Sequence, residues 1–315
     1  MNEAEAIALM RALTPGREHP MGSGDDAAVL PQPDHRRVLT TDALVEGTHF
    51  IRAHPPRWLG AKLLNVNLSD VAAMGAKPEA FVLSAALPRD TPERWWRALA
   101  TGLGDTARAH DVALVGGDVV RSSGPVMFSV SAWGVLTTDD VLTRDGGEVG
   151  DMLMVIGQVG ASARGLATWL DRRHEAGWPV EALPEDLDEA VAIHLNPQPP
   201  LSAGPLALAQ GARAGLDLSD GLATDIPRLA AASGLAIHVD LDALPPNPAC
   251  PDMSPVARAL GGEDYGLAVL VPPSRVDALQ AIGFYPLGHT QAGEGVVFYR
   301  EGKAITLDGP RFTHL

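Results

Sequence analysis

The chain has 315 residues, 46% of them hydrophobic and 20% charged, with a mean hydropathy of +0.05. That suits about two soluble globular domains and excludes disordered, collagen-like and short disulfide-scaffold classes. Thirty-nine acidic residues against 24 Lys and Arg give a net charge of −15; this excludes a bare nucleic-acid surface, which needs a basic face.

Lysine occurs only at Lys62, Lys77 and Lys303, so a phosphate ligand would have to be neutralised by something else. The single cysteine, Cys250, has no partner for an intrachain disulfide, and no Cys/His spacing resembles a zinc site. The acidic start Met1-Asn2-Glu3-Ala4-Glu5 is unlike a signal peptide, and no apolar run approaches the roughly 18 residues of a membrane span. The cytoplasm is the expected compartment, with no membrane partner.

In chain order, Ala4 to Leu13 reads as an amphipathic helix, followed by a Pro- and Gly-rich loop (Pro15, Gly16, Pro20, Gly22, Gly24) into Asp25-Asp26. Val38 to Leu44 reads as a strand. Arg57 to Met74 carries apolar residues at helical spacing up to Gly75. Ala80 to Leu87, bounded by prolines, reads as a buried strand, and Thr91-Pro92 as the N-cap and first turn of a helix reaching about His110. Val112–Val115 and Val126–Leu136 are expected strands. The Trp95-Trp96 pair is assigned to partial core packing.

The polar, Gly-rich stretch from Thr137 to Asp151 marks a domain boundary, giving expected domains 1–145 and 146–315. The second half restarts with a strand at Met152–Ile156, a loop at Gly157–Gly160 and a helix from about Ser162 to Arg173. A Pro-rich connection (Asn196–Pro200), an Asp217–Gly221 turn and a helix ending near Gly234 follow. Strands are expected at Ala236–Leu241, Tyr265–Val271 and Val296–Tyr299. Both halves are α/β in character, the second mirroring the first, so the fold class is α/β (α+β) in two domains.

The placement of the aspartates carries the chemistry. Gly24-Asp25-Asp26, Thr40-Thr41-Asp42, Ser69-Asp70, Gly116-Gly117-Asp118 and Asp217-Leu218-Ser219-Asp220-Gly221 each set acids beside Gly, Ser or Thr at expected strand ends or turns. Open α/β sheets place ligands there, and carboxylates with hydroxyls suit Mg²⁺ held partly by substrate phosphates. Ordinary turn and cap chemistry is the alternative for any one of them. No lysine follows a P-loop pattern, and Gly22-Ser23-Gly24-Asp25-Asp26-Ala27 lacks the preceding strand of a dinucleotide fingerprint. The amides of Gly157-Gln158-Val159-Gly160 either face phosphate or close a tight turn. Gly-x-Ser-x-Gly is absent, so no nucleophile elbow is read. His49 stands just beyond the strand carrying Asp42 and is the histidine expected to face a site, an ordinary hydrogen-bonding role being the alternative.

Seven ordered segments resemble the thiamine-monophosphate kinase family, of the superfamily that includes aminoimidazole ribonucleotide synthetase. They are Gly24–Val29, Thr40–Phe50, Asn67–Ala76, Gly116–Asp118, Leu142–Arg144, Asp217–Leu222 and Gly261–Tyr265. The resemblance implies phosphorylation of thiamine monophosphate by ATP with several Mg²⁺ ions. It also implies a homodimer whose N-terminal sheet pairs with a second subunit, and a C-terminal α/β domain over the nucleotide. Asp26, Thr40, Thr41, Asp42, Asp70, Asp118, Asp217 and Asp220 fall on metal positions. Gly117, Asp118, Arg144 and Ser219 fall on ATP positions, and His49, Glu263 and Phe312 on the thiamine side. Asp42, Asp70 and Arg144 are the expected catalytic residues. The lone Cys250 and the ending Phe312-Thr313-His314-Leu315 disfavour the relatives that need a reactive N-terminal or C-terminal cysteine. The alternatives are another ATP-dependent enzyme of the superfamily or a non-catalytic metal- or nucleotide-binding module.

Overall fold

A computed structural model describes residues 9, 12–13, 36–171, 178–179 and 187–307. Asp26, the 15–25 loop and Phe312 lie outside them, as does most of the expected N-terminal helix, of which Leu9, Ala12 and Leu13 are described as helical. The chain forms two compact units: Met1–Val71 with Pro78–Thr137 and Thr168–Leu187, and Ala72–Lys77 with Thr138–Ala167 and Asp188–Leu315.

The first unit holds a four-stranded sheet of order β1-β4-β2-β3, comprising β1 (Arg37–Val45), β2 (Lys77–Pro88), β3 (Ala113–Ser122) and β4 (Met127–Val135). β1 runs antiparallel to β4, and β2 parallel to β3. Helix α1 (Pro56–Ala73) is buried all round except at Arg57, Trp58 and Asp70, so a largely buried helix offers one acid outward. It packs backbone to backbone on α2 (Glu93–Ala109): a Cβ on Gly60 would sit 2.1 Å from the Leu99 carbonyl oxygen, and one on Gly102 1.7 Å from that of Arg57. Trp95 and Trp96 are full core residues rather than partial ones, each stacked on Phe128 at 6.5 Å.

Two expectations in this unit are corrected. Thr91 is not the cap of α2, since its hydroxyl donates to the Pro88 carbonyl and Pro92 occupies the N-cap without a side-chain bond. β3 runs seven residues beyond Val115 through both glycines of the Gly-Gly-Asp segment, to Ser122, because pairing with β2 outweighs their weak strand propensity. A bulge in its pairing with β2 falls between Phe81 and Val82.

The second unit does not mirror the first. Its sheet has seven strands in the order β11-β10-β7-β9-β5-β8-β6. These are β5 (Met152–Ile156), β6 (Ala214–Leu218), β7 (Ala236–Asp240), β8 (Gly266–Val271), β9 (Tyr285–Gln291), β10 (Gly295–Arg300) and β11 (Lys303–Ile305). Its helices are α3 (Ala161–Leu170), α4 (Glu189–Leu195), α5 (Ala203–Ala209), α6 (Leu222–Ser233), α7 (Pro255–Leu260) and α8 (Val276–Gln280). Leu153, Val155, Ile237 and Leu270 form one core with Ile226 and Leu229 of α6. Met154, Val269 and Val271 form another with Ala203 and Ala207 of α5 and Leu279 of α8. Gly234 ends α6 in the left-handed conformation expected of a C-cap glycine.

Candidate active site

Most of the singled-out aspartates are not turn residues. Asp42 is inside β1, Asp70 inside α1, Asp118 inside β3 and Asp217 inside β6, while Asp220 alone of the described set stands in a bend. The turn reading therefore fails for four of them.

In the first unit the Asn67-Leu68-Ser69-Asp70 turn of α1 clamps β1. Asn67 Oδ1 accepts the Asp42 amide at 3.0 Å while its Nδ2 donates to the Leu63 carbonyl. The Thr40 hydroxyl donates to Asp70 Oδ2 at 2.7 Å. Residues three apart on a helix share a face, as do residues two apart on a strand, so the two periods meet here. Asp42 is left exposed with its backbone pinned. Thr41 alternates to the other face, where its hydroxyl donates to the Val130 carbonyl and accepts from Ser131; its side chain does not join Thr40 and Asp70. Asp118 pairs in register with Ser84 of β2, and Gly117 packs against β2, where a Cβ would lie 2.1 Å from the Leu83 carbonyl oxygen. His49 Nδ1 accepts the Val45 amide at 3.0 Å, which places the proton of the neutral ring on Nε2.

In the second unit the end of β6 organises the remainder. Asp217 is buried and Ser219 and Asp220 follow it. Gly221 has φ +93° and its Cα faces the Gly261 carbonyl oxygen, 2.0 Å from where a Cβ would be. Glu263 donates its amide to the Ser219 carbonyl at 2.6 Å, and Tyr265 to that of Leu218. The Asp217–Gly221 segment and the Gly261–Tyr265 segment are thus joined by main chain. Arg144 is exposed; its carbonyl accepts the Ser233 hydroxyl, and the neighbouring Thr143 bridges to Ala214 at the start of β6.

Residues that the sequence reading passed over support this end. Asp225, in the first turn of α6, accepts the Asp220 amide at 2.9 Å. Arg228 pairs with both Asp220 (2.6 Å) and Asp225 (2.8 Å). Burial first, and the charge of Asp220 second, push the Asp225 carboxyl up to about 6. The sequence signal was an Asp and an Arg three apart just after the Asp-Gly turn. Asp264 accepts the amides of Gly160 and Ser162 at 2.7 and 3.2 Å. Of the Gly157–Gly160 loop, the Gly160 amide is thus taken by an internal carboxylate, which supports the tight-turn reading. Burial pushes the Asp264 carboxyl up to about 7 despite those two bonds.

Among the described residues no three His, Cys, Asp or Glu side chains converge as a metal-holding group. Mg²⁺ characteristically takes only one or two carboxylates, with water and substrate phosphates completing its shell. The all-oxygen donor set of exposed Asp42, anchored Asp70 and hydroxyls fits that chemistry.

The description "AIR synthase related protein, N-terminal domain" matches residues 24–136, and the corresponding C-terminal domain matches 148–298. The thiamine-monophosphate kinase of Escherichia coli (strain K12) is 36% identical over 307 residues, covering 93% of this chain and 91% of that protein. The crystal structure of thiamine-monophosphate kinase from Stenotrophomonas maltophilia K279a superposes with a TM-score of 0.81 at 32% identity, covering 96% of each chain. That of AaThiL complexed with AMPPCP and TMP does so at 0.78 and 30% identity, covering 93% of this chain and 91% of that one. With its two AIR synthase-related domains, the chain belongs to the thiamine-monophosphate kinase family.

Proposed function

We propose that the protein transfers the γ-phosphoryl group of ATP to the phosphate of thiamine monophosphate, giving thiamine diphosphate and ADP. The observation that carries this reading is end-to-end likeness to thiamine-monophosphate kinases, one of them solved with AMPPCP and TMP. The acceptor is a phosphate oxygen already ionised at neutral pH, so no general base is needed to make the nucleophile. The bond from γ-phosphorus to the β,γ-bridging oxygen breaks as the new phosphorus–oxygen bond forms in line, and ADP leaves as the anion.

What the site must supply is alignment and charge neutralisation. Mg²⁺, when bound with ATP, supplies neutralisation of the transferring phosphoryl group. Asp26, Thr40, Thr41, Asp42, Asp70, Asp118, Asp217 and Asp220 would hold it, with Thr41 better placed to offer its main-chain oxygen than its bonded hydroxyl. Arg144, Gly117, Asp118 and Ser219 take the ATP end, with Arg144 steadying its phosphates, while His49, Glu263 and Phe312 take the thiamine end. In this reading 1–145 binds ATP and metal and dimerises, and 146–315 completes the nucleotide and substrate site.

A homodimer is supported by the sheet of the first unit, where Leu39, Val120 and Met127 are 75%, 49% and 42% exposed. A cytoplasmic location is supported by the ATP requirement and the single buried Cys250; none of the described helices is long and apolar enough to cross a membrane. The test is purified protein with ATP, excess Mg²⁺ and either thiamine monophosphate or free thiamine, with products separated chromatographically. Thiamine diphosphate formed from the monophosphate alone, and lost on chelation, is the expected result. Competent ATP binding without that product would move the protein to another chemistry of the same superfamily.

A further inference from the structure

Glu263 and Asp264 are adjacent acids held by two helices, α3 and α4, that carry none of the sequence-predicted site residues. Asp264 ties the 261–265 segment to the first turn of α3 through the Gly160 and Ser162 amides. Glu263 has φ +62°, a left-handed conformation that a non-glycine residue rarely adopts. Its Oε2 lies 3.3 Å from Nδ1 of His194, near the end of α4. The same Nδ1 is 3.0 Å from the Ser162 hydroxyl oxygen. His194 and Ser162 are 3% and 0% exposed.

With hydrogen on Nδ1 the ring donates toward Glu263, whose ionised carboxylate can only accept, and the Ser162 oxygen lies within reach of the same nitrogen. Ser162 and Glu263 meet at one ring nitrogen rather than on opposite sides of the ring, so this is not a nucleophilic triad and no proton path runs through it. What the arrangement achieves is restraint. The main chain of Glu263 is fixed to Ser219, its neighbour to α3, and one carboxylate oxygen to a buried imidazole that is itself held by α3.

We propose that His194 is a positioning residue for substrate recognition: with Ser162 it holds the Glu263 carboxylate in the orientation that receives the cationic thiazolium ring of thiamine monophosphate. The inference rests on the functional reading above. A carboxylate fixed before binding loses less side-chain freedom when the cation arrives, so the effect belongs to the thiamine substrate and not to ATP.

The experiment compares wild type with His194→Leu, His194→Asn and Ser162→Ala in steady-state kinetics with each substrate varied, alongside urea midpoints. Loss of a hydrogen bond to a charged group predicts that His194→Leu raises KM for thiamine monophosphate about tenfold, with KM for ATP within about twofold. His194→Asn, whose amide nitrogen falls close to the Nδ1 position, recovers most of the loss. Ser162→Ala shifts the same KM by about threefold, a smaller step since the imidazole remains, and serves if His194→Leu does not fold. Equal rises in both KM values, or an unchanged thiamine monophosphate KM in the variants that fold, would overturn the proposal. Wild-type enzyme that forms no thiamine diphosphate would instead overturn the functional reading beneath it, so the two failures are told apart by the control.

Discussion

Asp70→Asn separates the catalytic from the structural role of the α1 clamp. Asparagine keeps the shape of the side chain and an oxygen that can accept the Thr40 hydroxyl now 2.7 Å from Asp70 Oδ2. What is lost is the charge, so the bond becomes an ordinary neutral one and the fold should lose no more than about 1 kcal/mol. Asp70 is the outward acid of an otherwise buried helix, so little repacking follows. The same charge is assigned to phosphoryl transfer, where removing one neutralising contact predicts a fall in kcat of at least about 100-fold, or about 2.7 kcal/mol. The assay measures ADP and thiamine diphosphate formation against Mg²⁺ concentration for both proteins, with urea midpoints on the same preparations. Turnover within about threefold of wild type at saturating Mg²⁺ would refute the assignment. So would a stability loss as large as the catalytic one, since the clamp would then be acting on the fold.

Three further outcomes follow from the geometry. Gly221→Ala must adopt φ +93° and place a methyl 2.0 Å from the Gly261 carbonyl oxygen; strain and overpacking together predict a loss of about 2–4 kcal/mol in urea unfolding, and an unchanged midpoint would show that the two loops are not tightly joined. Leu39→Glu places a charge on the most exposed apolar side chain of the first sheet and is expected to convert a dimer to monomer in sedimentation; an unchanged mass would remove this face from the interface. Asp264 has a folded-state value of about 7 against an ordinary 3.8. The folded state therefore holds the extra proton between those values, and the contribution to stability, full below about pH 4, is lost as pH rises through about 7. Asp264→Asn should flatten the fall in melting temperature between about pH 5 and about pH 7.5, and identical slopes in both proteins would contradict that linkage.

The long periodic elements were readable because burial repeats along them. β1, α1, β2 and α2 lie within a few residues of their expected bounds, and of the expected Asp217–Gly221 turn the part after Leu218 is a bend, Asp217 and Leu218 belonging to β6. β9 escaped notice since Pro286, Gly288, His289 and Gln291 break any apolar alternation, and its pairing with β5 carries a register shift after Leu153. Strand order was invisible because it is decided by pairing between distant segments. The aspartates meet a related limit: Asp beside Gly, Ser or Thr signals a strand end or a turn locally, and only tertiary pairing shows that Asp42 and Asp118 lie within strands. His194 stands on a short helix with no motif around it, and only the fold brings it to Glu263.

The two units also interleave along the chain, which passes between them at 71/72, 77/78, 137/138, 167/168 and 187/188. The short 72–77 stretch is part of the second unit's own packing. The Met74 carbonyl accepts the Leu142 amide at 3.1 Å, Gly75 faces the Leu208 side chain, and the Ala72 carbonyl oxygen lies 1.7 Å from where a Cβ on Gly204 would be. A chimaera joined near residue 145 would therefore give the second unit a foreign hexapeptide at a place where an added methyl cannot fit. Recombination between relatives in this family should then succeed or fail on the match between positions 72–77 and 204–208, more than on the linker chosen for the joint.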